Sequence, residues 1–248
     1  MDGFNFKRKL FHFIGFFVPG ILYFDTFRDV GEWKHSSRLI VLMIILVILI
    51  GMSVIEFIRL RYEPFNEFYL KLFGKLMKKD ERHRMNGVIP YMISNAFIVS
   101  FFPSQIIFLS MAFLLIGDPV AAYFGAKYGK YRFSNGKSAL GVVAFIIGSS
   151  IAGFLLMLLF DNTYGESFLS YSLRGSFNGY AYLAIFIGAV SAAIAEMLSG
   201  HAWKGFLEDN LLIPVVASIV LAVLSGLFGL MDWNQLIFPL TEIFATRG

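Results

Sequence analysis

The sequence predicts an all-α fold, a polytopic membrane bundle of about seven transmembrane helices with a cytoplasmic N-terminus, and three observations carry that reading. The 248 residues are 57% hydrophobic and only 15% charged, with a mean hydropathy of +0.69, far from the balance of a soluble domain. Apolar runs recur along the whole chain. Basic residues fall between those runs in a strongly alternating pattern.

Taken in order, the apolar runs lie at 10–24, 38–58, 88–102, 105–124, 139–160, 180–200 and 211–231. A helix needs about 20 residues to cross a hydrocarbon core of ~30 Å, and most of the runs meet or approach that length. The first and third are short and must borrow flanking residues. A last run, 235–245, is the candidate for an eighth span, although it is short for one.

With the N-terminus inside, the inner segments hold 16 of the 21 Lys and Arg residues, as short cytoplasmic loops should. Lys7-Arg8-Lys9 ahead of an apolar run imitates a secretory signal, but no small-x-small cleavage site follows and the run ends in Tyr23-Phe24-Asp25. The first run is therefore expected to remain as a span. The net charge of +4 reads as topology plus attraction to anionic headgroups. With no basic face on a soluble domain, nucleic acid is not expected as a partner. The absence of cysteine excludes disulfides and thiolate chemistry. No internal repeat or linker divides the chain, so residues 1–248 read as one integral-membrane domain.

Acids inside apolar runs carry the functional signal, because an ionised carboxylate at a helix centre costs roughly 2.5–3.5 kcal/mol on insertion scales. Asp118 has Ala121, Ala122 and Gly125 at helical spacing, and Glu196 lies between Ala192-Ala193 and Ser199-Gly200. Stripes of small residues let helices approach closely, so both acids should point into the bundle. Glu56 has Arg59 one turn on and reads equally well as half of a structural pair. Asn95 reads equally well as an interhelical hydrogen bond. Glu208-Asp209-Asn210 precedes the run opening at Leu211, where an acid caps a helix or joins Asp118 in holding a divalent cation.

The most informative stretch runs from Gly117 to Gly141. It holds Asp118, Gly125, Lys127, Gly129, Lys130, Arg132, and Lys137-Ser138 just before the next apolar run. Ordinary cytoplasmic loops also carry lysines, but here glycines flank them and Lys137-Ser138 opens a helix, where a phosphate meets free amides. The spacing does not fit G-x-x-x-x-G-K-[ST], so this is not a Walker A loop. His12 lies one turn beyond Arg8 and reads first as an interfacial hydrogen-bonding residue. His35, His83 and His201 are spaced too irregularly for a metal site.

Read together, these pieces resemble the family of CTP-dependent lipid-alcohol kinases that includes dolichol kinase, phytol kinase and yeast-type CTP-dependent diacylglycerol kinase. The likeness runs over most of the chain. It comprises Arg8-Lys9-Leu10-Phe11-His12, Glu56-Phe57-Ile58-Arg59-Leu60, Phe65-Asn66, the basic loop Gly74 to Lys79, and Asn86-Gly87-Val88. It continues through Asp118 to Ala122 with Gly125 and Tyr128-Gly129, then Asn135 to Gly141, Ala195-Glu196, and Asp209-Asn210 with Ile213-Pro214. The basic loop and Asn86-Gly87 look most like the diacylglycerol kinase branch. Two departures stand out: Pro119 replaces the hydroxyl residue that commonly follows the acid, and Glu208-Asp209 replaces a paired Asp-Asp.

The resemblance implies that Arg8, Lys9, Asp118 and Gly125 belong to the active centre and that Lys137, Ser138, Asp209 and Asn210 serve the nucleotide. Added to the residue-level reading, it gives these expectations. Asp118, Glu196, Arg8 and Lys9 are catalytic, with Glu196 or Asp118 as the base. Gly125, Lys127, Gly129, Lys130, Lys137, Ser138 and Asn210 bind nucleotide. Asp118 and Asp209 hold Mg²⁺ or another divalent cation. CTP is the donor and a bilayer lipid alcohol the acceptor, diacylglycerol ahead of a polyprenol, dolichol or phytol. The site faces the cytoplasm from a bacterial inner membrane or the endoplasmic reticulum. Two other readings compete. A phosphatidate cytidylyltransferase would need a Pro-Gly-His-Gly-Gly signature that this chain lacks, and a transporter predicts inverted repeats that it does not show.

Overall fold

A computed structural model describes residues 13–77, 80–164, 167–173, 175–199 and 207–247. Arg8, Lys9 and His12 lie outside the described residues, as do Lys78, Lys79, Arg174 and the segment 200–206. The described elements are helical apart from one small hairpin. α1 is Phe17–Tyr23, continued backwards by a 3-10 turn, Phe13–Phe16; α2 is Ser36–Arg59; α3 is Glu63–Phe73; and α4 is Val88–Phe101. α5 spans Ser104–Tyr128, α6 Ala139–Tyr164, α7 Gly179–Leu198 and α8 Asp209–Leu227.

Five of these helices, α2, α5, α6, α7 and α8, are long and apolar enough to cross a membrane, and the chain is an integral membrane protein. The first and third apolar runs form the shorter helices Phe13–Tyr23 and Val88–Phe101. The run 235–245 does not build an eighth long helix. It folds as the four-residue helix α9, Trp233–Leu236, and a 3-10 turn, Leu240–Phe244. Its chain then returns to the loop after α1, where Lys34 N donates to Ala245 O at 2.8 Å and Arg247 N to Glu32 O at 2.6 Å. The hairpin pairs β1, Ser172–Leu173, with β2, Ser176–Phe177, and Asp161 anchors it by accepting from Ser172 N at 3.1 Å.

α5 is the central helix: 72% of its apolar window is buried, against 22% for α2 at the periphery. It is also irregular. An α-helical first part, Ser104–Ala112, passes through a π turn, Phe113–Gly117, before α-helix resumes at Asp118. The π turn supplies a physical reason for Pro119. A proline inside a helix lacks an N–H and its ring meets the carbonyl four residues back; the wider turn immediately before Asp118 opens the ladder where that clash would fall. Single π turns of this kind recur at functional sites, and this one immediately precedes the buried Asp118.

Proline also shapes α8. Pro214 stands inside the helix, so no N–H reaches back to the Asn210 carbonyl. Ser94 of α4 offers that carbonyl a donor, its Oγ lying 2.9 Å from Asn210 O and sharing its one proton with Tyr91 O at 2.8 Å. Arg38 does the same for the end of α4. Buried in the first turn of α2, its guanidinium donates to Val99 O and to Phe102 O, the latter at 3.1 Å from each terminal nitrogen. These are carbonyls that a helix C-terminus leaves unsatisfied. The Phe238 ring covers the same guanidinium at 3.9 Å. Asn95, whose amide donates to Tyr91 O at 2.8 Å, bonds back within its own helix.

The Ser94–Asn210 contact generates a prediction. Ser94→Ala should lower stability by about 1–3 kcal/mol, the cost of a buried unsatisfied carbonyl. In a Pro214→Ala background the helix supplies its own donor and the loss should shrink to a few tenths. Thermal unfolding of the four variants in one detergent measures this, and an equal loss in both backgrounds would show that Ser94 does not serve that carbonyl.

Candidate active site

The loop from α5 to α6 folds as a miniature hairpin. Phe133 N donates to Lys137 O at 2.8 Å and Gly136 N to Phe133 O at 2.9 Å, while Arg132 and Ser138 form an isolated bridge. Gly136 has φ +84, a backbone that glycine adopts without steric cost. Asn135 Oδ1 accepts from Lys137 N at 3.2 Å, closing an Asx turn. The Asn-Gly-Lys-Ser order is thus a turn that fixes where Lys137 emerges.

Lys137 reaches the C-terminus of α7. Its Nζ lies 2.7 Å from Glu196 Oε1 and 2.8 Å from Ser199 Oγ, and it also donates to Glu196 O. Asn135 Nδ2 adds a bond to Met197 O at 2.6 Å. A cation at a helix C-terminus is favoured by the helix dipole and by the open carbonyls there. Glu196 itself is buried, as the alanines behind it require: Ala192 and Ala193 are fully enclosed.

Ser138 caps α6, its Oγ accepting from Gly141 N at 3.0 Å. The same hydroxyl wedges into α5. A Cβ on Gly125 would lie 2.6 Å from Ser138 Oγ, one on Gly129 2.5 Å from it, and one on Gly141 3.2 Å from Ala121 O. These glycines allow α5 and α6 to touch backbone to backbone. Gly125 O accepts from Arg132 at 3.3 Å and from Gly129 N at 3.2 Å. Lys127 and Lys130 are exposed, with Lys127 Nζ bonded to Tyr123 at 3.1 Å and near the Tyr128 ring.

Asp118 is buried just past the π turn, and Asp209 is the first residue of α8. Both carboxylates lie within electrostatic reach of Glu196. Lys137, Glu196, Asp118 and Asp209, from four separate elements, are therefore gathered at one end of the bundle. Among the described residues no group of three or more carboxylate or imidazole side chains is arranged as a ready-made metal site.

A second polar network backs this centre, and only part of it was legible in advance. Arg59 and Glu56 form a buried two-pronged pair at 2.8 and 2.7 Å. Arg59 also donates to Asn66 Oδ1 at 3.1 Å and to the carbonyls of Glu81, Arg82 and Arg84 at 3.1, 2.9 and 2.7 Å. Glu56 accepts in turn from the backbone and side chain of Asn86, both at 3.1 Å. The structure thus resolves the two readings of Glu56 in favour of an organising pair. Tyr69, 3.4 Å from Asn86 Nδ2, joins the network; burial first, and the Glu56 carboxylate second, raise its phenol pKa and keep it protonated.

Gly87 passes the order on to α8. Its amide donates to Glu81 Oε1 at 3.3 Å and its carbonyl accepts from Asn210 at 3.3 Å. A Cβ there would stand 2.3 Å from Glu208 Oε1 and 2.5 Å from Asn210 Nδ2. Asn210 also donates to Glu208 at 3.0 Å, so its amide serves the backbone of the site. Glu208 occupies the N-cap position of α8 without capping it through its side chain. Glu81 had no signal in the sequence beyond an acid following a basic loop, and Ser199, which read there as a small residue beside Glu196, proves to hold Lys137 through its hydroxyl.

This constellation defines a class: a helical membrane protein with a lysine and three carboxylates gathered at one end of its bundle. Comparison with known proteins narrows it. CTP-dependent diacylglycerol kinase 1 of Saccharomyces cerevisiae is 32% identical over 221 residues, covering 86% of this chain and 70% of that one. Its namesake in Schizosaccharomyces pombe is 31% identical over 168 residues, 67% of this chain and 72% of that one. The one in Eremothecium gossypii is 30% identical over 219 residues, 86% and 64%. No family model and no solved structure matches. The chain belongs to the CTP-dependent diacylglycerol kinase family.

The glycine geometry can be tested directly. Gly125→Ala should cut activity about tenfold or more by forcing α5 and α6 apart, and adding Ser138→Ala should restore part of it because the clashing oxygen is gone. Initial rates of the single and double variants decide this. A double variant no better than Gly125→Ala would show that the glycine is needed for something other than room.

Proposed function

We propose that the protein transfers the γ-phosphoryl group of CTP to the hydroxyl of diacylglycerol, giving phosphatidate and CDP at the cytoplasmic surface of the membrane. The observation that carries this reading is the convergence of Lys137, Glu196, Asp118 and Asp209 at one end of a membrane bundle, in a chain whose relatives are named for CTP and diacylglycerol. The excess of basic residues in segments at the same end supports the cytoplasmic placement.

Phosphoryl transfer asks a protein mainly for positioning and charge neutralisation. Lys137, tethered to the end of α7 through Glu196 and Ser199, brings a positive charge to the phosphates at the start of α6. Arg8 and Lys9 are proposed as further phosphate ligands. Lys127 and Lys130 offer an outer ring of charge to the incoming nucleotide. Gly125, Gly129, Ser138 and Asn210 hold the α5–α6 and α4–α8 contacts that bring these groups together.

The donor set suits a divalent cation, because Mg²⁺ commonly takes one or two carboxylates and fills its shell with phosphate oxygens and water. Asp118 and Asp209 would hold it, and it would supply charge neutralisation to the phosphates. The acceptor oxygen bonds to the γ-phosphorus as the bond to the bridging oxygen breaks. CDP leaves with that electron pair, and Glu196 takes the hydroxyl proton while Lys137 is shared with the phosphate.

Labelled CTP tests the reaction: label from the γ position should enter the lipid, whereas α label in the lipid would establish a cytidylyltransferase instead. Asp118→Asn should lower kcat about 100-fold or more, the scale of losing one preorganised charge. Asp209→Asn should raise the Mg²⁺ concentration for half-maximal rate about tenfold or more. Unchanged values in both variants would remove these carboxylates from the metal site.

A further inference from the structure

Among the described residues, α3 is a well-formed helix to which the proposed chemistry gives no direct part, and it has three distinct faces. One is turned into the protein, where Asn66 is buried and accepts from Arg59. A second carries Glu63, Glu67 and Lys71, all exposed. The third is apolar yet uncovered: Phe68 and Leu72 are 56% and 58% exposed, and Phe65 stacks beside Phe68 at 6.5 Å. Phe65, Phe68 and Leu72 follow i, i+3, i+7, one stripe along the helix.

The surroundings say what covers that stripe. Three residues separate α2 from α3, the last turns of α2 expose Val54, Phe57 and Ile58, and Tyr62 in the connection is exposed as well. Those α2 residues belong to a membrane span, so the end of α2 from which the chain enters α3 meets lipid. At 11 residues α3 is about 16 Å long, too short to cross. Residues 61–84 hold seven Lys or Arg against four Asp or Glu, and Arg61, Lys71, Lys75 and Arg82 are exposed. Arg61 lies over the Phe57 ring at 4.5 Å, the posture of a cation reaching from an apolar stem toward the interface.

We propose that α3 is an in-plane anchor. Its Phe65–Phe68–Leu72 stripe lies at the boundary of headgroups and acyl chains, and the basic residues that flank it bind anionic phospholipid. Helices with an apolar face, a charged face and clustered Lys or Arg bind membrane surfaces in this way. Each basic residue near an anionic surface adds to the attraction, so the seating is sensitive to lipid charge. The charged face looks to water and the Asn66 face holds Arg59. The depth of the helix therefore fixes where the Glu56–Arg59 network stands relative to the bilayer.

The chain has no cysteine, which makes the test direct and independent of catalysis. Phe68→Cys and Glu67→Cys each provide a single thiol for a nitroxide label in the full chain, reconstituted in phosphatidylcholine vesicles with or without phosphatidylglycerol. With phosphatidylglycerol, the label at 68 should relax more with oxygen than with a water-soluble nickel chelate, and the label at 67 the reverse. Removing phosphatidylglycerol, or adding Lys71→Glu with Lys75→Glu, should move the 68 label toward water. Equal nickel access at both positions would overturn the in-plane placement. So would a 68 label shielded from both reagents, which would mean a protein partner covers the stripe. A depth indifferent to lipid charge would overturn the anionic-lipid part.

Discussion

An apolar bundle gives its polar groups no water to bond with, so each has to find a partner inside the protein. Much of this structure follows from that one constraint. The carbonyls at the end of α4 are met by Arg38, a buried cation in the first turn of α2. The carbonyl that Pro214 leaves open in α8 is met by Ser94. Arg59 spends its guanidinium on Glu56, Asn66 and three backbone carbonyls, and so turns a connecting segment into a fixed one.

The candidate site uses the same constraint for another end. Glu196 and Lys137 satisfy each other across α7 and the start of α6, which keeps a carboxylate and an ammonium ion ready in a place where neither would be stable alone. Asp118 and Asp209 stand close enough to add to the field there. A triphosphate with a divalent cation would complete that arrangement of charge, and this is why the site's polar groups read as a receptor for one. The supporting network behind it is continuous. Asn66 on α3 touches Arg59, Glu56 touches Asn86, and Gly87 backs directly onto Glu208 and Asn210 at the start of α8.

Much of this could be read from the sequence. Run lengths placed the five long helices and flagged 10–24 and 88–102 as the short ones, because span length is a property of a segment by itself. The small-residue stripes beside Asp118 and Glu196 correctly marked buried faces, since an alanine or glycine face is useful only against another helix. Relations between segments were harder to see. Arg38 counted simply as a charge on the outer side, although its donors belong to α4. The π turn before Asp118 has no sequence code of its own, so Pro119 had no explanation until the turn was seen. Gly125 and Gly129 read in the sequence as part of a nucleotide site, and the structure adds a role that spacing did not show: their missing Cβ atoms make room for Ser138. Spacing along one chain does not reveal which oxygen approaches from another helix.

The central claim is that Lys137 and Glu196 work as one unit in phosphoryl transfer, and a double-mutant cycle tests it most directly. kcat/KM for CTP would be measured with diacylglycerol in fixed vesicles for the wild type, Lys137→Met, Glu196→Gln and the double variant. Each single change should cost about 100-fold or more, and the double variant should be little worse than the poorer single one. Losses that simply multiply would contradict the account, because they would mean that the two residues act apart.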